Sequence, residues 1–417
     1  MRFLFIVAFI ILLTSTCWQC KSKKIVKKEV DSSYIAVVDS LVNDAISKQA
    51  FPGCRIFAVK NRKVFLDKCY GFLTYDSIVP VKYNTLYDLA SITKVAAAAP
   101  CVMKLYEDGV LDLEQKFSYY FSAFSDSIKD SITVKEMLAH QAGLKAGINF
   151  SRRTLDKNGD FLSDFYFNKP TNNFCLKVCD SLYINSKIKD IIYQSICKSE
   201  ISGRGNYLYS DLPFYLLPSV IEQFSGKTID QYLYDNFYLP LGLKTMCFNP
   251  LEKFSKDEIA PTEIDTIFRK RLIQGYVHDE GAALCGGISA HAGLFSSAKD
   301  LGVLFQMFMN KGVYNKQRYF KDETVEMFTS QVFENNRRGI IFDKPPLDKS
   351  LNATPSKKAS SKSYGHTGFT GPFVWADPEN GLLVVFLCNS TYPNRSNMLV
   401  KLDFRTKLHD ILYKMTE

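Results

Sequence analysis

The pattern of apolar and polar positions predicts short strands near both chain ends and helices between them. Apolar residues recur at helical spacing from Tyr34 to Ala50. Two strand-like runs, Cys54–Val59 and Val64–Tyr70, then flank the polar residues 60–63, which is typical of a β-hairpin. The helical pattern returns over Ser91–Glu107, Val134–Ala139, Leu212–Phe224, Ile229–Phe237 and Ala298–Met309.

The C-terminal part returns to strands. Phe373–Ala376 and Leu382–Cys388 flank Asp377–Gly381, a turn sequence rich in Pro, Asn and Gly, and a final helix is predicted over Asn397–Lys414. The economical arrangement is an α+β fold in which both chain ends build one antiparallel sheet, from about 51–75 and 364–417. A mainly helical part, about 76–345, is inserted between them, and a cleft between the two parts is the expected site.

Residues 149–203 are polar and irregular in pattern, which predicts an insertion or a lid over the site. We expect residues 33–417, including this insertion, to form one domain.

The N-terminus has the pattern of an export signal. Arg2 precedes an apolar run, Phe3–Leu13, that is too short to span a bilayer. Cys17 follows it and is the expected lipid attachment site of a bacterial lipoprotein, and a simple cleaved signal is the alternative. Residues 1–20 are therefore predicted to be a signal peptide and 21–32 a basic tether. The expected location is the cell envelope, periplasmic or held at the outer membrane by the N-terminal lipid.

Composition excludes several classes of function. The 417 residues are 46% apolar and 14% aromatic, which argues against disorder. The net charge of +9 has one dense source, Lys21–Lys28, and the rest is scattered, so no nucleic-acid partner is expected. Neither the eleven cysteines nor the five histidines have metal-ligand spacing, so no metal and no cofactor is expected.

Ser91 and Lys94 are the leading candidates for chemistry. Three residues apart at a helix start, their side chains share one face. A lysine shielded from water can lose its charge and accept the proton of a serine hydroxyl, which would make Ser91 a nucleophile and Lys94 its base. The spacing alone is weak, because it recurs at Ser186/Lys189, Ser195/Lys198 and Ser296/Lys299.

Two further segments complete a constellation: Tyr209-Ser210-Asp211 before one helix, and His366-Thr367-Gly368 before the C-terminal hairpin. In this order, Ser-x-x-Lys, Tyr-x-Asp and His-Thr-Gly, the chain resembles serine hydrolases related to class C β-lactamases and penicillin-binding D,D-peptidases. The resemblance runs from about Tyr34 to near the C-terminus and implies a β-lactamase/transpeptidase-like fold.

The resemblance also implies roles for individual residues. Ser91 would be acylated, Lys94 would accept its proton, and Tyr209 would carry a proton to the leaving group. The backbone N–H groups of Ser91 and Phe369, the latter on the strand after Gly368, would form the oxyanion hole. Substrate-binding positions would be Asp211, His366, Thr367, Gly368 and Phe369.

Two departures from the usual pattern affect the expected substrate. Asp211 stands where Asn is more common, and an anion there favours a charged Lys94. His366 stands where β-lactamases usually have Lys, which lowers the expectation of efficient β-lactam hydrolysis, and Arg395 is a candidate for the missing cation. His140 and His291 are expected to be structural.

The expected function is an exported serine hydrolase that acts through a Ser91 acyl-enzyme on an ester or amide. A small molecule, a cell-wall peptide or a muropeptide would be the substrate. A broad-specificity carboxylesterase or weak β-lactamase is the first alternative, and a non-catalytic penicillin-binding-like protein is the second.

Overall fold

The computed structural model describes residues 30–125, 127–348, 350–351 and 354–417. Its strands are β1 Gly53–Lys60, β2 Lys63–Gly71, β3 Tyr87–Asp88, β4 Tyr166–Phe167, β5 Leu176–Cys179, β6 Leu182–Ile184, β7 Glu263–Asp265, β8 Arg271–Ile273, β9 Phe295–Ser296, β10 Val313–Tyr314, β11 Gln317–Arg318, β12 Tyr364–Thr367, β13 Phe373–Asp377 and β14 Leu382–Cys388. Its α-helices are α1 Tyr34–Ser47, α2 Ala99–Glu107, α3 Phe117–Tyr120, α4 Val134–Leu138, α5 Ile188–Lys198, α6 Leu212–Ser225, α7 Ile229–Leu233, α8 Leu239–Leu241, α9 Glu280–Leu284, α10 Ala298–Met309, α11 Asp322–Thr329, α12 Met398–Lys401 and α13 Phe404–Lys414.

The main sheet is antiparallel and joins the two ends of the chain. Its order is β12-β13-β14-β1-β2, so β1 pairs with β2 on one side and with β14 on the other. The register sets Cys54 opposite Cys388 and Ile56 opposite Phe386. The sheet therefore forms as the sequence predicts, from the N-terminal and C-terminal hairpins.

Both faces of this sheet are covered. Successive residues of a strand point to opposite faces, and in the central strands the residues on both faces are mostly apolar and buried. On one face, Ile56 and Phe386 pack in a core with residues of α1 and α13, such as Val38 and Leu408. On the other face, Val385 joins the larger core of the helical part, which includes α10. The fold is thus α+β, with the sheet between a terminal helix pair and the inserted helices.

Most predicted elements form close to their expected bounds, but some differ. The predicted helix over Asn397–Lys414 is split into α12 and α13, because Asp403 between them has a left-handed backbone, with φ of 48°. The pattern over Ile229–Phe237 gives α7 and then a π-helical segment, Tyr234–Tyr238. Residues 149–203, predicted to be irregular, contain the small sheet of β4, β6 and β5 and the amphipathic helix α5.

Cys17, the signal peptide and most of the basic tether lie outside the described residues. Among the described residues, none of the helices combines the length and the apolar character that crossing a bilayer requires.

Candidate active site

Ser91 lies in a tight turn immediately before a helix, rather than inside it. Ala90 before it has a φ of 46°, a left-handed conformation that is costly for a residue with a Cβ. The buried carboxylate of Asp88 stabilises this turn, because its Oδ1 accepts the Ala90 N–H at 2.8 Å and its Oδ2 accepts the His278 N–H at 2.6 Å. The strained turn presents the Ser91 side chain to the cleft.

The helix after Ser91 begins with a π-helical segment, Lys94–Ala98. Pro100 has no N–H and cannot bond the Ala96 carbonyl four residues earlier. That carbonyl instead accepts the Tyr238 hydroxyl at 3.0 Å. The side chain of Lys94 projects from this locally widened helix.

Lys94 is fully buried, and three oxygen atoms lie close to its amine. Nζ donates to Ser91 Oγ at 3.1 Å and to the His291 carbonyl at 3.1 Å, and it lies 2.6 Å from Asp211 Oδ1. The amine and the Asp211 carboxylate are therefore close enough to form an ion pair. Burial by itself would lower the pKa of Lys94, but the charge of Asp211 and the Tyr209 side chain outweigh it, so the pKa lies above its ordinary value.

Tyr209 lies beside this amine. The centre of its ring is 5.1 Å from Lys94 Nζ, and its hydroxyl is buried without a hydrogen-bond partner in the described part of the chain. His140 stacks against the ring, with 4.5 Å between ring centres, and its Nδ1 accepts the Ser210 N–H at 3.1 Å. Burial and the nearby charge of Arg338 hold the pKa of His140 far below its usual value, so it is a neutral acceptor that positions the Tyr209 segment.

The turn Gly368–Gly371 is bound directly to the Asp88–Ser91 segment. Gly371 N–H donates to the Gly368 carbonyl at 3.1 Å, and Thr370 Oγ1 donates to the Asp88 carbonyl at 2.8 Å. Phe369 therefore lies in a turn beyond β12, which corrects the expectation that it continues a strand. Neither the Ser91 nor the Phe369 N–H donates a hydrogen bond within residues 30–125, 127–348, 350–351 and 354–417.

Gly368, expected to be a substrate-binding position, permits a close approach between its turn and residues 89–90. An added Cβ would lie 2.6 Å from the Leu89 carbonyl oxygen. The absence of a side chain at Gly368 therefore lets the turn pack against Leu89 and Ala90.

His366 and Thr367 lie at the end of β12 and line the cleft. His366 Nδ1 bonds the Thr367 carbonyl at 2.7 Å, and its Nε2 is buried without a partner among the described residues. Burial, then the charges of Arg338 and Lys94, lower the pKa of His366 to about 3. His366 is therefore neutral at physiological pH and supplies no cation.

Arg338 is a cleft residue that the sequence analysis missed. It is 4% exposed and stacks on Tyr209 and Tyr207, and it donates to the Tyr207 hydroxyl at 3.0 Å. Its Nε lies 3.3 Å from Asp343 Oδ1, which also bonds Arg337 at 2.7 Å. No motif marks these arginines, because only the fold brings them to the cleft.

Arg395 lines the cleft, as a candidate cation should, but its charge is already paired. Nε lies 3.1 Å from both carboxylate oxygens of Glu263, and Nη2 lies 2.5 Å from Glu280 Oε1. Its guanidinium lies over the Phe369 ring, which is 62% exposed. His291, expected to be structural, bonds Ser289 through its ring as well as Lys94 through its carbonyl.

The cleft has a volume of about 840 Å³ and brings the three predicted motifs together. Its walls include Ser91, Tyr209, His366, Thr367, Gly368 and Phe369 from the predicted set. Among described residues, 149–203 contribute nothing to its lining, so the expected lid is not seen there. The described part of the chain has no cluster of His, Cys, Asp and Glu suited to a metal ion.

Comparisons with known proteins show which family the chain belongs to. The Beta-lactamase family model matches residues 38–401. A protein of Salmonella gallinarum named "Putative D-alanyl-D-alanine carboxypeptidase" is 30% identical over 392 residues, covering 88% of this chain and 85% of that protein. One of the same name from Escherichia coli O157:H7 is 31% identical over 367 residues, covering 82% and 79%.

Solved structures show the same fold. The β-lactamase/D-alanine carboxypeptidase from Pseudomonas syringae has a TM-score of 0.65 at 16% identity and covers 92% of this chain and 99% of its own. The predicted β-lactamase/transpeptidase-like α+β fold is thereby confirmed. With the family model matching most of its length, this chain belongs to the β-lactamase family and is a serine hydrolase.

Proposed function

We propose that this protein is an exported hydrolase that forms an acyl-enzyme on Ser91 and acts on cell-wall peptides with a free C-terminal carboxylate. The observation that carries the proposal is the 3.1 Å contact between the buried Lys94 amine and Oγ of Ser91, a residue that lines the cleft. The relatives' name supports a D-alanyl-D-alanine peptide as the substrate class. Export is supported by the apolar run near the N-terminus.

In the proposed reaction, Ser91 Oγ attacks the substrate carbonyl carbon and its proton passes to neutral Lys94. The carbonyl oxygen becomes an oxyanion between the N–H groups of Ser91 and Phe369. Collapse breaks the C–N bond, and the leaving amine takes a proton through Tyr209. A water molecule then adds to the acyl carbon and gives a proton to neutral Lys94. The bond to Ser91 breaks, Ser91 Oγ takes that proton back from Lys94, and the acid is released.

Asp211 gives this reaction a definite pH dependence. With Asp211 2.6 Å away, the resting Lys94 is charged and donates to Ser91 instead of accepting from it. The reactive neutral form is then a minor population at neutral pH, and acylation should accelerate as the pH rises toward the pKa of Lys94.

The cleft wall supports a carboxylate-bearing substrate. Arg337 and Arg338 share a single nearby carboxylate, Asp343, and Arg338 Nη1 makes no hydrogen bond among the described residues. A substrate carboxylate would complete this charge balance, which the neutral His366 cannot do. A charged hydrogen bond of this kind contributes about 1.5–3 kcal/mol.

The first test is covalent labelling with a fluorophosphonate. We expect one adduct, mapped by mass spectrometry to Ser91 and absent in Ser91→Ala. Ser186→Ala is the matched control, since the exposed Ser186 has the same spacing to Lys189 and should leave labelling unchanged. A folded protein that forms no adduct would favour the non-catalytic binding protein instead.

The second test concerns the substrate. We expect an acyl-D-Ala-D-Ala peptide to be cleaved about 10–100-fold faster, as kcat/KM, than its C-terminal amide, from the energy of one charged hydrogen bond. Equal rates would remove the carboxylate from recognition. Turnover of p-nitrophenyl esters with no peptide cleavage would favour the carboxylesterase, an alternative that the neutral His366 supports.

The lipid anchor is a separate part of the proposal. Labelled palmitate should be incorporated into the wild-type protein in a bacterial host and not into Cys17→Ser. Incorporation that persists in the variant would exclude Cys17 as the attachment site.

A further inference from the structure

Arg405, in the first turn of α13, contacts the turn that contains Phe369. Its Nη2 donates to the Gly368 carbonyl at 3.0 Å and to the Gly371 carbonyl at 2.9 Å, and its Nε donates to the Gly371 carbonyl at 3.0 Å. No carboxylate in the described part of the chain lies within ion-pair distance of this guanidinium. Its Nε and Nη2 groups therefore donate to two neutral carbonyls of one turn.

One of these carbonyls is covalently part of the proposed oxyanion hole. The Gly368 C=O and the Phe369 N–H belong to the same peptide group, in which the nitrogen lone pair is delocalised toward the oxygen. A cation at that oxygen increases this delocalisation and leaves the N–H more positive, so it donates a stronger hydrogen bond. The Gly371 N–H acts on the same oxygen in the same sense.

We propose that Arg405 is a positioning residue that both holds the Gly368–Gly371 turn and strengthens the Phe369 N–H as an oxyanion donor. This inference rests on the proposed function, because it requires a Ser91 acylation that develops an oxyanion. Its effect belongs to the transition state, since negative charge on the substrate oxygen is greatest there.

A competing role follows from the position of Arg405 in the cleft wall. An arginine there could bind a substrate carboxylate in the ground state, which would raise KM or an inhibition constant and leave the rate of the chemical step unchanged. A fluorophosphonate without a carboxylate separates the two roles, because it reacts through a negatively charged phosphoryl oxygen and offers no carboxylate to bind.

The experiment measures the maximal labelling rate, kinact, and the half-saturation constant, KI, for Arg405→Met. We expect kinact to fall about 10-fold, less than the ~10²–10³ lost with a whole oxyanion donor, and KI to stay within about twofold. Arg405→Lys, which keeps the charge, should recover part of the rate. Lys407→Met, an exposed change on the same helix, should match wild type.

Each other outcome decides against the inference. An unchanged kinact in folded Arg405→Met would overturn it, and so would a raised KI with an unchanged kinact. If Arg405→Met does not fold, Arg405→Gln keeps a neutral donor without the charge and must still show the lowered kinact. Absence of any Ser91 adduct in wild type would defeat the proposed function itself, whereas equal labelling rates in wild type and variant would defeat only the role of Arg405.

Discussion

Replacing Gly368 by alanine should slow acylation about 10–100-fold in a protein that still folds. The added Cβ would lie 2.6 Å from the Leu89 carbonyl oxygen, and real Cβ contacts essentially never fall below 3.0 Å. Pro372 Cδ and Ala90 Cβ, at 3.3 and 3.4 Å, leave little room on the other sides. The turn and the Asp88–Ser91 segment must therefore separate by at least about 0.4 Å, most simply by widening the gap between them.

That gap is the proposed oxyanion hole. Ser91 follows Leu89 and Ala90 directly, and Phe369 follows Gly368, so the clash acts on both N–H donors at once. A misplacement of about 1 Å can cost about 10²-fold in rate, and loss of one donor costs about 10²–10³-fold. A displacement of several tenths of an ångström should fall below those limits, which gives the expected range.

The assay is fluorophosphonate labelling of Ser91 together with kcat/KM for a p-nitrophenyl ester. Gly147→Ala is the matched control, because Gly147 is exposed, has no heavy atom within 4 Å of its added Cβ and lies away from the cleft. Circular dichroism and Tm establish that both variants fold. Acylation of folded Gly368→Ala within twofold of wild type would refute the packing argument and the placement of Phe369 in the hole.

Three further predictions concern the charged groups. Asp211→Asn should move the rising limb of the pH–rate profile for acylation to lower pH. Without the carboxylate that raises the pKa of Lys94, burial of the amine lowers that pKa. A limb that does not move would exclude Lys94 as the titrating base. Lys94→Ala should slow Ser91 labelling about 10²–10⁴-fold, and near-normal labelling would exclude Lys94 from the mechanism. Burial holds the pKa of His140, His366 and His409 below the ordinary 6.5, so only the unfolded chain takes up their protons as the pH falls below that value. The stability that these neutral histidines give the folded protein is present above pH 6.5 and is lost in acid, by up to about 1.4 kcal/mol per pH unit each. Urea unfolding at pH 5.5 should therefore show a lower free energy of unfolding than at pH 7.5. The three His→Gln changes should reduce that difference.

Local patterns predicted the elements well where one physical cause dominates. Helix α10 has its predicted bounds, Ala298–Met309, because an N-cap, Ser297, precedes an uninterrupted apolar stripe. The C-terminal hairpin follows from two apolar runs around a turn-forming sequence. The prediction over Asn397–Lys414 was too simple because apolar spacing continues across Asp403, whose left-handed backbone ends the first helix.

The prediction of the site was uneven for a similar reason. Ser91, Lys94 and Tyr209 lie in recognisable motifs, and the structure brings them together as expected. Arg338 and Arg405 carry no motif, because a cation in a cleft is defined by what it faces and not by its neighbours in sequence. Arg338 contacts the Tyr207 and Tyr209 rings, and Arg405 bonds the carbonyls of the Gly368–Gly371 turn. Only the fold makes these groups neighbours.

By itself, the sequence determined the family motifs, the two hairpins that join into one sheet and the presence of an acid, Asp211, in the second motif. These depend on residue type and short-range spacing, which a linear pattern records directly. Only the tertiary structure decided that Lys94 is charged at rest, that His366 is neutral and that arginines from distant segments surround the cleft. Burial and electrostatic interaction depend on distance in space, and the fold sets that distance between groups that the chain keeps far apart.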